Sequence, residues 1–181
     1  MKKHIVILDP FPRTLELIFS KEKFKILKSK YHLLYVPKNQ KKFFYEKNIH
    51  QASFIIGQPD LPNEILVKAK NLKAIINVES NFMNNMDYQY CFKKGIYVIA
   101  TSPVFSKPVA EIALGMTLSL LRNIHNAHLD FIKGKEKYGL ESNLKASLLS
   151  GKKIGLIGFG DLAKSLYPLL LPFSKDINVY D

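Results

Sequence analysis

The sequence predicts an α/β protein built on a doubly wound parallel sheet, and three observations lead to this fold class. Short β-branched or aliphatic runs recur along roughly the first hundred residues. Amphipathic segments separate these runs, as they do when helical crossovers join parallel strands. Of the 181 residues, 47% are hydrophobic and 23% are charged, which is the composition of a globular chain and excludes a disordered or collagen-like one.

The predicted elements alternate along the first part of the chain. We predict strands at His4–Leu8, His32–Val36, Ser53–Ile56, Ala74–Val78 and Ile96–Ala100. We predict helices at Thr14–Lys28, Lys41–Lys47, Asn63–Ala69 and Asp87–Lys94. Thr14 suits a helix N-cap, and Gly95 suits the end of a helix. Five strands with alternating helices predict a doubly wound domain over residues 1–104.

The segment from Pro108 to Asn126 has no strand character and predicts a helix that starts at its proline. Apolar residues surround this helix almost completely. A helix of this kind is buried from more than one side, so we expect it to join two domains. The polar stretch from Lys133 to Asn143 is expected to be an exposed connection.

The chain is basic, with 27 Lys and Arg against 15 Asp and Glu and a formal net charge of +12. Nearly all of the excess is lysine, since arginine occurs only at Arg13 and Arg122. The densest lysine run lies beside apolar residues at helical spacing, which favours a solvated helix face over a nucleic-acid interface. We therefore expect no nucleic-acid partner.

The single cysteine, Cys91, cannot form an internal disulfide and is expected to be a small core residue. The apolar run near the N-terminus is too short for a secretory signal. The sequence also has no unbroken run of roughly 18 apolar residues, the length that a membrane-spanning helix needs. These observations predict a cytoplasmic protein without a membrane partner.

A glycine turn between two strands carries the most specific chemistry. Ile154–Ile157 predicts a strand, Lys164–Leu171 a helix, and Ile177–Tyr180 a second strand. Between the first strand and the helix, Gly158 permits the tight turn and Gly160 has no side chain to obstruct a diphosphate.

The backbone amides of Asp161 and Leu162 would open this helix and donate to phosphate oxygens. Asp181 closes the second strand about twenty residues later, where an acid accepts from the ribose hydroxyls. A carboxylate there would repel a 2′-phosphate, so the turn predicts NAD as the cofactor. A purely structural glycine turn is the alternative.

Four blocks of the sequence resemble the D-isomer-specific 2-hydroxyacid dehydrogenase family, which includes formate, glycerate and phosphoglycerate dehydrogenases. The blocks are Leu72–Val78 with Asn84–Asp87, Gly95–Val98 with Ser102-Pro103, Val109–Glu111 leading to Leu121–Ile124, and Gly151–Ala163 ending at Asp181. The resemblance covers the chain from about Leu72 to its end and follows the family's order of motifs.

The resemblance implies a flavodoxin-like substrate domain over residues 1–104. An interdomain helix and the first βαβ unit of a truncated Rossmann NAD-binding domain would follow over residues 105–181. It also implies an oxidoreductase that transfers a hydride between NAD and a 2-hydroxy or 2-oxo acid, and commonly a homodimer.

By the same resemblance, backbone amides at Glu79, Ser80 and Asn81 would bind the substrate carboxylate. The family has a glycine-rich turn at these positions. Asn81 can adopt the left-handed conformation that glycine would, whereas Glu79 places a carboxylate close to the one that should bind. An exposed loop without a ligand is the alternative.

The family takes its catalytic Arg, Glu and His from a segment beyond the position of Asp181, so we assign no catalytic residue. We also assign no metal ligand. The resemblance thus implies a fragment that is inactive alone. Two other functions stay open. The second hypothesis is a non-enzymatic NAD-sensing or protein-binding module on the same scaffold, and the third is a nucleic-acid binder.

Overall fold

The five strands predicted for the first part of the chain form one parallel sheet in the computed structural model, which describes residues 3–181. They are β1 (Ile5–Asp9), β2 (His32–Tyr35), β3 (Phe54–Gly57), β4 (Ala74–Ile76) and β5 (Tyr97–Ile99). Their order in the sheet is β2-β1-β3-β4-β5, so the direction of winding reverses between β1 and β3. The predicted doubly wound α/β fold is confirmed.

The helices of this part lie between the predicted strands. They are α1 (Leu15–Ile18), α2 (Lys21–Lys30), α3 (Lys41–Asn48), α4 (Asn63–Leu66) and α5 (Tyr88–Lys93), with a 3₁₀ turn at Ile49–Gln51. The prediction of one continuous helix over Thr14–Lys28 is wrong, because the structure has two helices there. Thr14 caps α1 as expected, but the hydroxyl of Ser20 accepts from the Lys23 amide at 3.2 Å and starts a second helix.

The core of the first unit, which ends at Thr101, is centred on the three middle strands. Ile7, Ile55 and Ile75 are fully buried, one in each of β1, β3 and β4. Helices cover both faces of a doubly wound sheet. Here α3 and α4 contribute Tyr45 and Ile65, which are also buried. Because the strands are parallel, all of their carboxyl ends meet at one edge.

The second unit runs Ser102–Asp181 and begins with three helices: α6 (Ser102–Leu121), α7 (Ile124–Ile132) and α8 (Gly139–Asn143). The helix predicted from Pro108 to Asn126 therefore starts earlier, and Pro108 lies inside it. It ends before Asn123, whose left-handed backbone breaks the helical path. The predicted exposed connection contains the short helix α8.

The prediction that this helix is buried from more than one side is wrong for the described residues. Only Ser106 and Ala110 of α6 are buried. Apolar side chains on its other faces are at least 60% exposed, namely Val104, Ile112, Met116 and Leu120. α6 packs mainly against a later helix of the same unit, and packing along one face cannot cover an apolar surface that extends around the axis. By length and composition alone, α6 also matches a membrane-spanning helix.

The rest of the second unit is the predicted strand–turn–helix–strand. β6 (Ile154–Ile157) pairs in parallel with β7 (Ile177–Tyr180), and α9 (Asp161–Leu170) connects them and packs against α6. The helix starts three residues before the predicted Lys164 because Gly160 already serves as its N-cap.

Truncating a buried strand residue should destabilise the first unit far more than truncating an exposed one in the same sheet. We expect Ile55→Ala to lower the free energy of unfolding by about 3 kcal/mol, because it leaves a cavity in the core. The control Ile99→Ala, at a side chain that is 48% exposed in β5, should cost less than about 1 kcal/mol. Urea unfolding followed by circular dichroism measures both, and equal losses would contradict the assigned core.

The only cysteine gives an independent test of the same core. Cys91 is fully buried on α5, and burial, assisted by the negative charge of Asp87, raises the pKa of its thiol. A raised pKa leaves less thiolate at any given pH, so the native chain should react with a disulfide reagent only as fast as it opens. Chain unfolded in guanidinium should react at once. Rapid labelling of the native chain would place Cys91 outside the core.

Candidate functional site

The loop after β4 carries the three residues that the resemblance assigns to the substrate. Glu79 and Ser80 are half-buried, and Asn81 is exposed. Among the described non-glycine residues, only Gln40 and Asn123 have a positive φ, so Asn81 does not take the left-handed conformation that a glycine would allow. The loop therefore follows a different backbone path from a glycine-rich turn.

The carboxylate of Glu79 is neutralised by an arginine from another loop. Arg13, which follows β1, donates from Nε to Oε1 at 2.8 Å and from Nη2 to Oε2 at 3.1 Å. These two parallel bonds form the bidentate fork that arginine makes with carboxylates. Hydrogen bonding to Glu79, followed by the attraction between the two charges, raises the pKa of Arg13 further above its already high value. Both charges are thus engaged with each other.

A residue of a third loop holds the backbone of Glu79. Its carbonyl oxygen accepts from the Thr101 amide at 3.4 Å and from the Thr101 hydroxyl at 3.2 Å. Thr101 follows β5, whereas Arg13 follows β1. The start of the loop is consequently fixed by residues that come from two other strand ends.

Two buried amides lie at the same edge of the sheet. Asn77 directly follows β4 and is fully buried, and Gln58 directly follows β3. Within the described residues, neither side-chain amide has a hydrogen-bond partner. Buried polar groups are rarely left in this state, so this edge concentrates polarity beyond what the fold itself uses.

The glycine turn of the second unit has the geometry that its motif predicts. Gly158 has φ +88°, a left-handed conformation that favours glycine, and its amide donates to the Tyr180 carbonyl at 2.7 Å. Gly160 is the N-cap of α9, and no side chain caps that end of the helix. The first amides of the helix have no acceptor within it.

Neither the backbone conformation nor the packing around Gly160 requires a glycine at this position. Its φ is −71°, which any residue adopts, and a Cβ built on it would meet no atom within 4 Å. The space in front of the helix N-terminus is therefore open, and a side chain at this position would stand in it. This arrangement fits a diphosphate that approaches the backbone closely.

The two acids of the turn are held by the unit itself. The hydroxyl of Ser102, at the start of α6, donates to the Asp161 carboxylate. Oδ1 of Asp181 accepts from the Phe159 amide at 2.9 Å, so the closing acid lies against the glycine turn. Oδ2 of Asp181 accepts from none of the described residues. Leu162 is 41% exposed beside them.

The described residues contain no group of three or more His, Cys, Asp or Glu that could hold a metal ion. Among the described histidines, His4 contacts the hydroxyl of Ser53 at 3.1 Å in a part-buried side-chain pair.

Sequence reasoning did not identify Arg13 and Thr101 as partners of Glu79. Arg13 could have been singled out, because it is one of only two arginines in a lysine-rich chain and immediately follows the first strand. Nothing in the sequence pairs Thr101 with the loop, since that contact depends on the register of β4 and β5.

The chain is similar to known proteins in sequence and in fold. Residues 6–154 match the family described as D-isomer specific 2-hydroxyacid dehydrogenase, catalytic domain. A hydroxypyruvate reductase of Thermotoga maritima is 35% identical over 118 residues, which are 65% of this chain and 37% of that protein. A glyoxylate/hydroxypyruvate reductase of Arabidopsis thaliana is 33% identical over 121 residues, which are 67% of this chain and 35% of that protein.

The crystal structure of a phosphoglycerate oxidoreductase from Rhizobium etli matches this chain with a TM-score of 0.80 and 42% identity. The match covers 99% of this chain and 56% of the solved chain. The chain thus spans only about a third of the length of these curated relatives and about half of the solved chain. Because the family match extends over most of the described residues, the chain belongs to the D-isomer specific 2-hydroxyacid dehydrogenase family.

Proposed function

We propose that this chain supplies binding surfaces for NAD-dependent hydride transfer between a nicotinamide cofactor and a 2-hydroxy or 2-oxo acid. When bound, NADH supplies the hydride that adds to C2 of the 2-oxo acid, and the carbonyl oxygen takes up a proton to give the 2-hydroxy acid and NAD⁺. The family membership and the glycine turn support this reaction. We assign the proton transfer to no residue of this chain.

The observation that carries the proposal is the open space at Gly160. Neither its backbone conformation nor its neighbours require a glycine there. A Cβ at Gly160 would instead project into open space beside the uncapped amides of Asp161 and Leu162. A helix N-terminus with free amides and about half a positive charge favours a diphosphate.

Asp181 favours NAD over NADP in this proposal. Its Oδ1 is fixed by the Phe159 amide, and Oδ2 remains available to accept from a ribose hydroxyl. A 2′-phosphate would bring a second negative charge to the same carboxylate.

The acid substrate is assigned to the loop of Glu79, Ser80 and Asn81. Backbone amides of this loop would donate to the substrate carboxylate, and the ion pair with Arg13 removes the repulsion that Glu79 would otherwise exert. We place the substrate domain at residues 1–104 and the start of the nucleotide domain at residues 105–181. We further propose a cytoplasmic homodimer without nucleic-acid or membrane partners.

Gly160→Ala should weaken NADH binding by at least about tenfold, because the new methyl group occupies the space reserved for the diphosphate. Isothermal titration of the 181-residue chain with NADH measures the change. The matched control is Gly155→Ala in β6, where a Cβ also meets no atom within 4 Å. Absence of NADH binding by the unmodified chain, or an equal loss in both variants, would overturn the cofactor site.

Asp181→Asn should remove most of the discrimination against NADPH. The asparagine oxygen keeps the bond from the Phe159 amide but loses the negative charge, so a preference for NADH of about tenfold should fall to about threefold or less. Asp176→Asn, at the opposite end of β7, should leave the preference unchanged. Equal affinity of the unmodified chain for NADH and NADPH would contradict the role of Asp181.

A further inference from the structure

The ion pair between Arg13 and Glu79 is only partly shielded from solvent. The side chain of Arg13 is 39% exposed and that of Glu79 is 24% exposed. Pairs of this kind contribute little to the stability of a fold. The main consequence of the ion pair between Arg13 and Glu79 is therefore local. It replaces a net negative charge at the start of the loop with a neutral pair.

The position of that charge matters because of what the loop is proposed to bind. A 2-hydroxy or 2-oxo acid is an anion at neutral pH, and its carboxylate would lie against the amides of Ser80 and Asn81. An uncompensated carboxylate on Glu79, one or two residues away, would repel it. At a separation of about 7 Å and a dielectric between those of protein and water, one such charge changes the affinity for an anion about tenfold.

We propose that Arg13 is a positioning and specificity residue for the acid substrate: it holds and neutralises Glu79, and thereby lets the loop of Glu79, Ser80 and Asn81 bind an anion. This inference rests on the proposed function. The bidentate geometry supports it, because the two bonds at 2.8 and 3.1 Å fix the orientation of the carboxylate as well as its charge. The bonds from Thr101 fix the backbone carbonyl of the same residue.

The inference predicts opposite results for charged and neutral ligands. We choose glycolate as the anionic probe and glycolamide, its neutral amide, as the matched probe. Amide resonances of Ser80 and Asn81 in ¹⁵N spectra of the 181-residue chain report binding of either one.

Arg13→Met should weaken glycolate binding about tenfold, because Glu79 is then unpaired, and should leave glycolamide binding within about twofold. Adding Glu79→Gln to Arg13→Met should restore the glycolate affinity to within about threefold of the original value. Arg13→Lys retains the positive charge but cannot make both parallel bonds, so its loss of glycolate affinity should be smaller than that of Arg13→Met. Arg122→Met, at the only other arginine, should change neither affinity.

Each result bears on a distinct claim. If glycolate does not shift the resonances of Ser80 and Asn81 in the unmodified chain, the proposed acid site is wrong and this inference falls with it. If glycolate binds but Arg13→Met leaves its affinity unchanged, only the inference is overturned. Equal weakening of both probes that Glu79→Gln fails to restore would also overturn it, since Arg13 would then serve only the structure of the loop.

Discussion

The buried carboxylate of Asp9 organises the edge of the sheet that carries the loop of Glu79, Ser80 and Asn81. Asp9 is the last residue of β1, and its side chain is 2% exposed. An unpaired charge at such a buried position would cost several kcal/mol of stability. Lys41 satisfies it from Nζ at 2.6 Å and Tyr45 from its hydroxyl at 3.2 Å, which places α3 over the end of β1. On the other side, Gly57 must lack a side chain, because a Cβ would stand 2.2 Å from the Asp9 carbonyl oxygen.

This anchoring explains how a residue after β1 reaches a loop after β4. The sheet order places β3 between these strands, so Arg13 has to extend across the end of β3. A long side chain makes a defined bidentate contact over that distance only when the backbone that carries it is fixed. The pairing of Asp9 with Lys41 and Tyr45 fixes the chain just before the turn that leads to Arg13.

Sequence patterns predicted the elements well where the hydrophobic periodicity and the capping or turn residues indicated the same boundaries. All five strands of the larger sheet, the cap at Thr14 and the glycine turn follow from residue type and spacing. The break at Ser20 was missed because the apolar pattern continues through it, and the early start of α6 was missed because Pro103 tolerates a first helical turn as well as Pro108 does. The contact between Arg13 and Glu79 joins residues 66 positions apart, which no local pattern encodes.

The two candidate binding sites solve one electrostatic problem in the same way. Each is proposed to bind an anion through backbone amides, and each has acidic side chains beside those amides. Glu79 is engaged by Arg13, Asp161 by the hydroxyl of Ser102, and Asp181 by the Phe159 amide. A donor from the same unit thus orients each carboxylate, and only at Glu79 is that donor a cation. At Glu79 the cation cancels the charge beside the proposed carboxylate site, whereas Asp181 keeps its charge and an oxygen that would accept from a sugar in the proposed cofactor site.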